Sequence, residues 1–381
     1  MKRLAILGCT GSIGRQTLDI VRRYPDKFKV EALVANSDVA NLLSLAEEFK
    51  PSFVGMCTKG LINSIKLSYS CQICEGNIAL EQASALPNVD CVVCAVVGIA
   101  GLSGVFSAIQ NKKQVALANK ESLVCAGELI INNAKKNGVN ILPVDSEHSA
   151  VWQALSAGRE VDVSKIILTA SGGPFRDFTS KEQFDFVTVE KAIAHPNWSM
   201  GKKISVDSAS MMNKGLEIIE AYWLFNKKEI DYVIHPQSII HSMVEYKDGS
   251  IIAQMSNPNM ELPIQLALTY PERFETVTPK FTFNKNITFS APNEDLFFLP
   301  KLAKDSIKQG KSASCVLNSA NEKAVELFLN KKIGFYDMMK LVEKTYSSYE
   351  FTPLNSINDV INVYNDVVNY VEKDYKNILE I

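Results

Sequence analysis

The sequence predicts an α/β protein with an N-terminal doubly wound sheet, a central α+β domain carrying a lid loop, and a C-terminal helical domain. Three observations lead there. Short apolar runs alternate with helical stretches early in the chain, a glycine-rich turn follows the first run, and from Leu296 onward apolar residues recur at helical spacing. The expected divisions are 1–145, 146–290 and 291–381.

Leu4 to Leu7 forms the first expected strand and Gly8-Cys9-Thr10-Gly11-Ser12-Ile13-Gly14 a tight turn, after which Ile13, Leu18, Ile20 and Val21 keep helical spacing. Further strands are expected at 30–35, 52–56, 89–97, 115–118 and 139–144, most of them separated by helical stretches. In such a Rossmann-like sheet, ligands bind beyond the carboxyl ends of the strands. Gly8, Gly11 and Gly14 then let backbone N–H groups approach a pyrophosphate at the positive end of the first helix. The spacing is G-x-x-G-x-x-G rather than G-x-G-x-x-G, but a position between strand and helix is the context a dinucleotide site requires. At the end of the second strand an acid favours NAD, whereas a basic or small polar group admits the extra phosphate of NADP. This chain has Ala35-Asn36-Ser37-Asp38 there, with Asp38 suited to capping the next helix, so the pattern leans towards NADP.

Forty basic residues against forty-two acidic ones leave a formal charge of -2, which speaks against nucleic acid or an acidic membrane surface as a partner. Met1 to Gly8 could pass for the start of a signal peptide, but the apolar run is short and leads into the glycine turn. No apolar stretch approaches the roughly 20 residues that span a bilayer, so a soluble, cytoplasmic protein is expected. Cys71-Gln72-Ile73-Cys74 and Cys91-Val92-Val93-Cys94 have the spacing of a four-cysteine zinc site. The second pair falls inside an expected buried strand, where residues three apart point to opposite faces. The cysteines read instead as small buried hydrophobes in a reducing compartment.

Chemistry concentrates in the middle of the chain. Asp145-Ser146-Glu147-His148-Ser149 follows the run 139–144; in an extended segment Asp145 and Glu147 project to one side and can converge on a divalent cation, where a lone D-x-E is otherwise a solvated loop. A helix is expected over 150–157. The run 165–170 ends in Ser171-Gly172-Gly173-Pro174-Phe175, which suits a phosphate and equally a turn that requires glycine. In 194–203, Pro196 and Gly201 bracket Trp198 and Met200, the apolar tip of a lid, the alternative being Trp198 packed permanently in the core. The segment from Asp207 to Glu217 looks like a helix start, with Asn213, Lys214 and Glu217 on one side through i,i+3 and i,i+4 spacing. A third carboxylate beside an ammonium and an amide suits a metal and a phosphate held close together. Segments 238–245 and 250–254 about Lys247-Asp248-Gly249 read as a scaffold hairpin, and 313–329 and 354–379 as helices.

Taken in order, these segments resemble the 1-deoxy-D-xylulose 5-phosphate reductoisomerase family over nearly the whole length. The resemblance rests on the turn 8–14, Ala118-Asn119-Lys120-Glu121-Ser122, Asp145 through Ala150, Thr169 through Phe175, His195 through Gly201 and Asp207 through Glu220. His235-Pro236-Gln237-Ser238 and Asn318-Ser319-Ala320-Asn321-Glu322 also look like that family. It implies that Asp145, Glu147 and Glu217 bind a divalent metal (Mg, Mn or Co) that chelates the ketone and neighbouring hydroxyl of the substrate. Ser171, Ser208, Asn213 and Lys214 would hold the phosphate end, with His195 closing over it and Lys120 and Ser146 contacting the sugar. Thr10, Gly11, Ser12, Ile13, Asn36, Asn119, Glu121 and Gly201 would line an NADPH site, although the family often has a glycine and a basic residue where this chain has Asn36 and Ser37. The implied activity is NADPH- and metal-dependent rearrangement and reduction of 1-deoxy-D-xylulose 5-phosphate to 2-C-methyl-D-erythritol 4-phosphate, in non-mevalonate isoprenoid precursor biosynthesis. The implied assembly is a homodimer.

The residues agree with such a reaction on chemical grounds. Rearranging a hydroxyketone requires a polarised carbonyl and stabilised enolate-like charge, which a hard cation on carboxylates supplies, and the resulting aldehyde takes a hydride from nicotinamide. An aldehyde dehydrogenase would need an activated cysteine, yet Cys125 and Cys315 lack a basic neighbour in a substrate motif. A nucleotide sensor would not need three converging carboxylates.

Overall fold

Alternation of strand and helix persists through the first part of the chain: β1 (Lys2–Leu7), α1 (Ser12–Arg23), β2 (Phe28–Ala35), α2 (Val39–Phe49), β3 (Phe53–Met56), β4 (Gln72–Glu75), α3 (Ile78–Ala85), β5 (Cys91–Cys94), α4 (Gly101–Gln110), β6 (Gln114–Leu117), α5 (Lys120–Asn137), β7 (Ile141–Pro143) and α6 (Ser146–Leu155). There follow β8 (Val163–Ala170), α7 (Val189–Ile193), α8 (Lys202–Ala209), α9 (Met212–Phe225), β9 (Ile230–Ile234), β10 (Ile240–Tyr246), β11 (Ile251–Met255) and α10 (Glu261–Thr269). The last helices are α11 (Leu299–Gln309), α12 (Ala313–Leu329), α13 (Phe335–Ser348) and α14 (Ile357–Leu379). The structure is a computed structural model and describes residues 1–194, 201–276, 278–284 and 286–380. The expected lid residues His195, Trp198 and Met200 lie outside the described residues.

The described residues gather into two compact units. Met1–Ser122, Ile130–Ser149 and Asn259–Lys280 form the first; Leu123–Leu129, Ala150–Pro258 and Phe281–Ile381 form the second. Asn259–Lys280 joins the first unit because α10 packs on α1, β6 and β7. Its buried Ile264, Ala267 and Leu268 supply the apolar cover which that side of the sheet needs.

In the first unit a parallel sheet runs in the order β4-β3-β2-β1-β5-β6-β7. Its strands are nearly continuous apolar runs because both faces are covered; Leu4, Ile6 and Leu7 of β1 are fully buried, each contributing about 1.5–3 kcal/mol. The order reverses between β1 and β5, which opens a crevice at their carboxyl ends. Gly8, at φ +85°, turns the chain there, and a Cβ on it would lie 2.5 Å from the carbonyl oxygen of Ala95. β4 was not expected, because its polar ends and the Cys71/Cys74 spacing mask an edge strand paired to β3. With β3, β2 and β1 between them, β4 and β5 stand roughly 19 Å apart at the usual strand spacing. Cys74 and Cys91 therefore do not share a metal.

The second unit carries a four-stranded sheet, β11-β10-β8-β9, in which β10 pairs antiparallel to β8 and β11 while β9 runs parallel to β8. The hairpin of β10 and β11 stands where the alternation placed it. Helices α11, α13 and α14 pack around α12, whose residues from Ala313 to Phe328 are mostly buried. Phe175 packs its ring against Phe178 and Phe335 at 5.1 and 5.3 Å, joining the loop after β8 to these helices. No helix of the described residues is long and apolar enough to cross a membrane.

A Cβ on Gly14 would lie 2.3 Å from Gly8 O and 2.6 Å from the Cys9 Cα, whereas one on Gly11 would meet only Gly8 O, at 3.3 Å. Gly14→Ala is therefore expected to lose about 2–4 kcal/mol of stability and Gly11→Ala much less, as read by urea denaturation. Equal losses would mean that the turn yields at both positions.

Candidate active site

At the carboxyl end of β7 the chain turns straight into α6. Asp145 sits at that junction, and its Oδ1 accepts from the backbone N–H of Glu147 at 3.0 Å. Glu147 is thus in the first turn of a helix, not the second outward position of an extended strand as the spacing suggested. The helix begins at Ser146, earlier than the expected 150–157, because Asp145 supplies the cap. Ser146 Oγ donates to Glu147 Oε2 at 2.5 Å, which fixes that carboxylate beside its neighbour.

Lys120, the first residue of α5 after β6, donates its ammonium to Asp145 Oδ2. His148, fully buried, brings Nδ1 to 3.1 Å from Asp145 Oδ1. Burial opposes ionisation of Asp145, but Lys120 and His148 outweigh it and hold the carboxyl well below the usual carboxylate range. The role of His148 was missed in the sequence; its position three residues after Asp145, on a helix that Asp145 caps, was the available signal. Asn119 caps α5 through the N–H of Ser122, and its amide donates to Val96 O, Gly98 O and Glu121 Oε2 at 2.8, 2.9 and 2.9 Å. Asn119 and Glu121 therefore tie the loops after β5 and β6 together on the crevice side. Thr10, Gly11, Ser12 and Ile13 enter α1 with no side-chain cap at Gly11, and Asn36 is exposed at the end of β2.

In the second unit the segment 207–217 is two helices, not one helix start. Asp207 and Ser208 close α8; Met211, at φ +63°, breaks the chain before α9. On α9 the predicted face is present: Asn213 Nδ2 donates to Glu217 Oε1 at 2.5 Å and Lys214 donates its ammonium to Glu217 Oε2, with Glu217 and Lys214 both buried. Gly172 and Gly173 have φ of +83° and +68°, so the turn reading of Ser-Gly-Gly is correct as far as backbone is concerned. A Cβ on Gly173 would lie 2.6 Å from Ser208 O, so glycine lets the Ser171 loop reach the end of α8. Gly201 begins α8 and is exposed. His195 falls outside the described residues.

Behind α8, buried Asp207 takes Lys203 at 2.8 Å and the Asn321 amide at 2.8 Å. Asn318 donates to Glu322 at 3.2 Å, and Tyr364 donates to the same carboxylate at 2.5 Å. Burial, reinforced by the Glu322 charge, pushes the Tyr364 phenol up. Asp207 and Asn321 had no individual role in the sequence reading, because nothing local links residues on helices so far apart in the chain.

Across residues 4–127, 141–225 and 255–370 the chain matches profiles described as 1-deoxy-D-xylulose 5-phosphate reductoisomerase, its C-terminal domain, and DXP reductoisomerase C-terminal domain. A 1-deoxy-D-xylulose 5-phosphate reductoisomerase of Clostridium perfringens is 45% identical over 384 aligned residues, spanning 98% of this chain and 100% of the relative. The chain belongs to this reductoisomerase family. The Chlorobaculum tepidum member is 49% identical over 93% of this chain and 94% of its own. The Zymomonas mobilis reductoisomerase in complex with NADPH superimposes with a TM-score of 0.92 at 42% identity, covering 98% of this chain and 99% of that one. A reductoisomerase in complex with NADPH, fosmidomycin and magnesium gives 0.92 at 40% identity, covering 99% and 98%.

Lys120→Met leaves Asp145 without its ammonium, and urea denaturation at neutral pH should show a loss of about 3–5 kcal/mol. Since the folded carboxyl titrates below its unfolded value of about 3.9, the stabilisation is complete above that pH and disappears as the pH falls through the folded value. The gap between wild type and variant should narrow on acidification; a constant gap would reduce Lys120 to packing.

Proposed function

We propose that the protein converts 1-deoxy-D-xylulose 5-phosphate to 2-C-methyl-D-erythritol 4-phosphate with NADPH and a divalent cation, as an oxidoreductase of isoprenoid precursor biosynthesis. The observation that carries this reading is the pair of lysine-compensated carboxylates, Asp145 with Lys120 and Glu217 with Lys214. Similarity to relatives holding NADPH and magnesium supports it.

Asp145, Glu147 and Glu217 are the ligands proposed for the cation. The donor set fits, because all three offer hard oxygens and Asp145 is held ionised. A bound divalent ion would polarise the ketone and stabilise developing oxyanion charge, and NADPH would supply the hydride. The chain's own residues do the rest. Lys120 and Lys214 each place an ammonium beside a ligand carboxylate, where it can move to a substrate oxygen once a cation takes its place. Ser171, Ser208, Asn213 and Lys214 present donors to the phosphate end, Ser146 and Lys120 contact the sugar, and His195 supplies a further donor. Thr10, Gly11, Ser12 and Ile13 present backbone to the pyrophosphate, with Asn36, Asn119, Glu121 and Gly201 along the nucleotide. NADPH oxidation should require both the sugar phosphate and Mg or Mn, stop on chelation and resume on adding metal; oxidation indifferent to chelation would remove the metal from the reaction.

Glu217→Gln removes one anionic ligand while Gln keeps the helix, so metal-supported turnover should fall by about two orders of magnitude or more with NADPH still bound, and the melting temperature should fall as well because Lys214 is left buried without its counter-charge. Near-normal turnover with Mg or Mn would take Glu217 out of the site.

The assembly we propose is a homodimer through β11. That strand is at the sheet edge, with Ile251 50% and Ile252 38% exposed, and an apolar unpaired edge is a template for a second copy. Ile252→Lys should shift the sedimenting species from dimer towards monomer; an unchanged dimer would place the interface elsewhere.

A further inference from the structure

On a doubly wound sheet the adenosine ribose of a dinucleotide reaches the carboxyl end of the second strand, and an NADP ribose brings a phosphate that needs a cation. β2 ends at Ala35, and the next two residues, Asn36 and Ser37, are exposed and uncharged. The acid that follows is occupied: Asp38 caps α2, accepting from Asn41 N–H at 3.2 Å and from the Asn41 amide at 2.6 Å. Thr58, just beyond β3, donates to Asn36 Oδ1 at 3.3 Å and holds that loop against its neighbour. A ribose phosphate here would find hydroxyls, an amide and one carboxylate, but no base from the loop itself.

The positive charge comes from another element. Arg15 stands in the first turn of α1, its N–H bonded to Gly11 O at 2.9 Å, and its guanidinium reaches across to 4.0 Å from Asp38 Oδ2 with the side chain 53% exposed. An ion pair so long and exposed holds the guanidinium only loosely, whereas a phosphate offers it a bidentate partner of higher charge. The neighbouring cation, Lys59, runs over Gly76, where a Cβ would lie 3.4 Å from Lys59 Cε. We propose that Arg15 binds the 2′-phosphate of NADPH and sets the preference of this chain for NADPH over NADH, with Asp38 positioning the guanidinium until the phosphate takes it. This rests on the reading of NADPH as the cofactor.

The experiment is nicotinamide fluorescence titration of the full chain, without sugar phosphate, with NADPH and NADH at low and high salt. Arg15→Gln should weaken NADPH about ten- to a hundredfold, leave NADH unchanged and flatten the salt dependence of NADPH binding. Asp38→Asn keeps a competent cap while removing the competing charge, so it should tighten NADPH and leave NADH alone. Equal loss for both nucleotides in Arg15→Gln, no loss, or a loss confined to Lys59→Gln would overturn the assignment. Wild type without a preference for NADPH would remove the cofactor reading and the assignment with it. A protein that shows these binding effects yet fails to turn over 1-deoxy-D-xylulose 5-phosphate would sink only the proposed reaction.

Discussion

A carboxylate can be buried in ionised form only if positive charge is buried beside it, and each unit of this protein is built around one such pair. Asp145 meets Lys120 at the ends of adjacent strands, and Glu217 meets Lys214 one helical turn away. The desolvation of an unpaired carboxylate would amount to several kcal/mol, enough to protonate the group or open the site. The Lys120 ammonium and His148 hold Asp145 ionised, and Lys214 sets its ammonium on Glu217. Much of the surrounding structure serves to hold these groups. β6 and β7 bring Lys120 and Asp145 together, His148 adds a second contact from α6, and Asn213 takes the remaining oxygen of Glu217.

Around these charges the backbone is drawn unusually close. Gly8 lets the turn after β1 touch the chain after β5, and Gly173 lets the loop after β8 touch the end of α8. In both places the missing Cβ permits two stretches of main chain to pack against each other. Rigid packing then backs each loop. The rings of Phe175 and Phe335 sit behind the Ser-Gly-Gly turn, and Asp207 fastens α8 to α12 through Asn321.

Much of this was legible in the sequence because it is local. Hydrophobic period and turn residues mark the parallel strands of the first unit, the hairpin of β10 and β11, and the long helices at the end of the chain. Asn213, Lys214 and Glu217 are neighbours in any α-helix, so their meeting follows from spacing alone. Less legible was β4, four residues with half-polar character whose strand identity comes from pairing with β3. The break at Met211 was also hidden, since a non-glycine residue at positive φ carries no sequence mark and is tolerated only where its surroundings impose it.

By itself, then, the sequence determined the parallel first sheet, the glycine turn after β1, the family and the helix face that brings Asn213, Lys214 and Glu217 together. It did so because helical and strand periods, glycine requirements and motif order are all written within a few residues of one another. Tertiary structure alone decided which partners those residues keep. Glu147 stands beside Asp145 through a helix cap rather than strand alternation, Asp207 meets Asn321 across more than a hundred residues, and Arg15 leans over the end of β2, where the local sequence offers no base. Contacts of that kind depend on how strands and helices pack, and long-range packing is set by the summed burial of the whole core rather than by any segment of the chain.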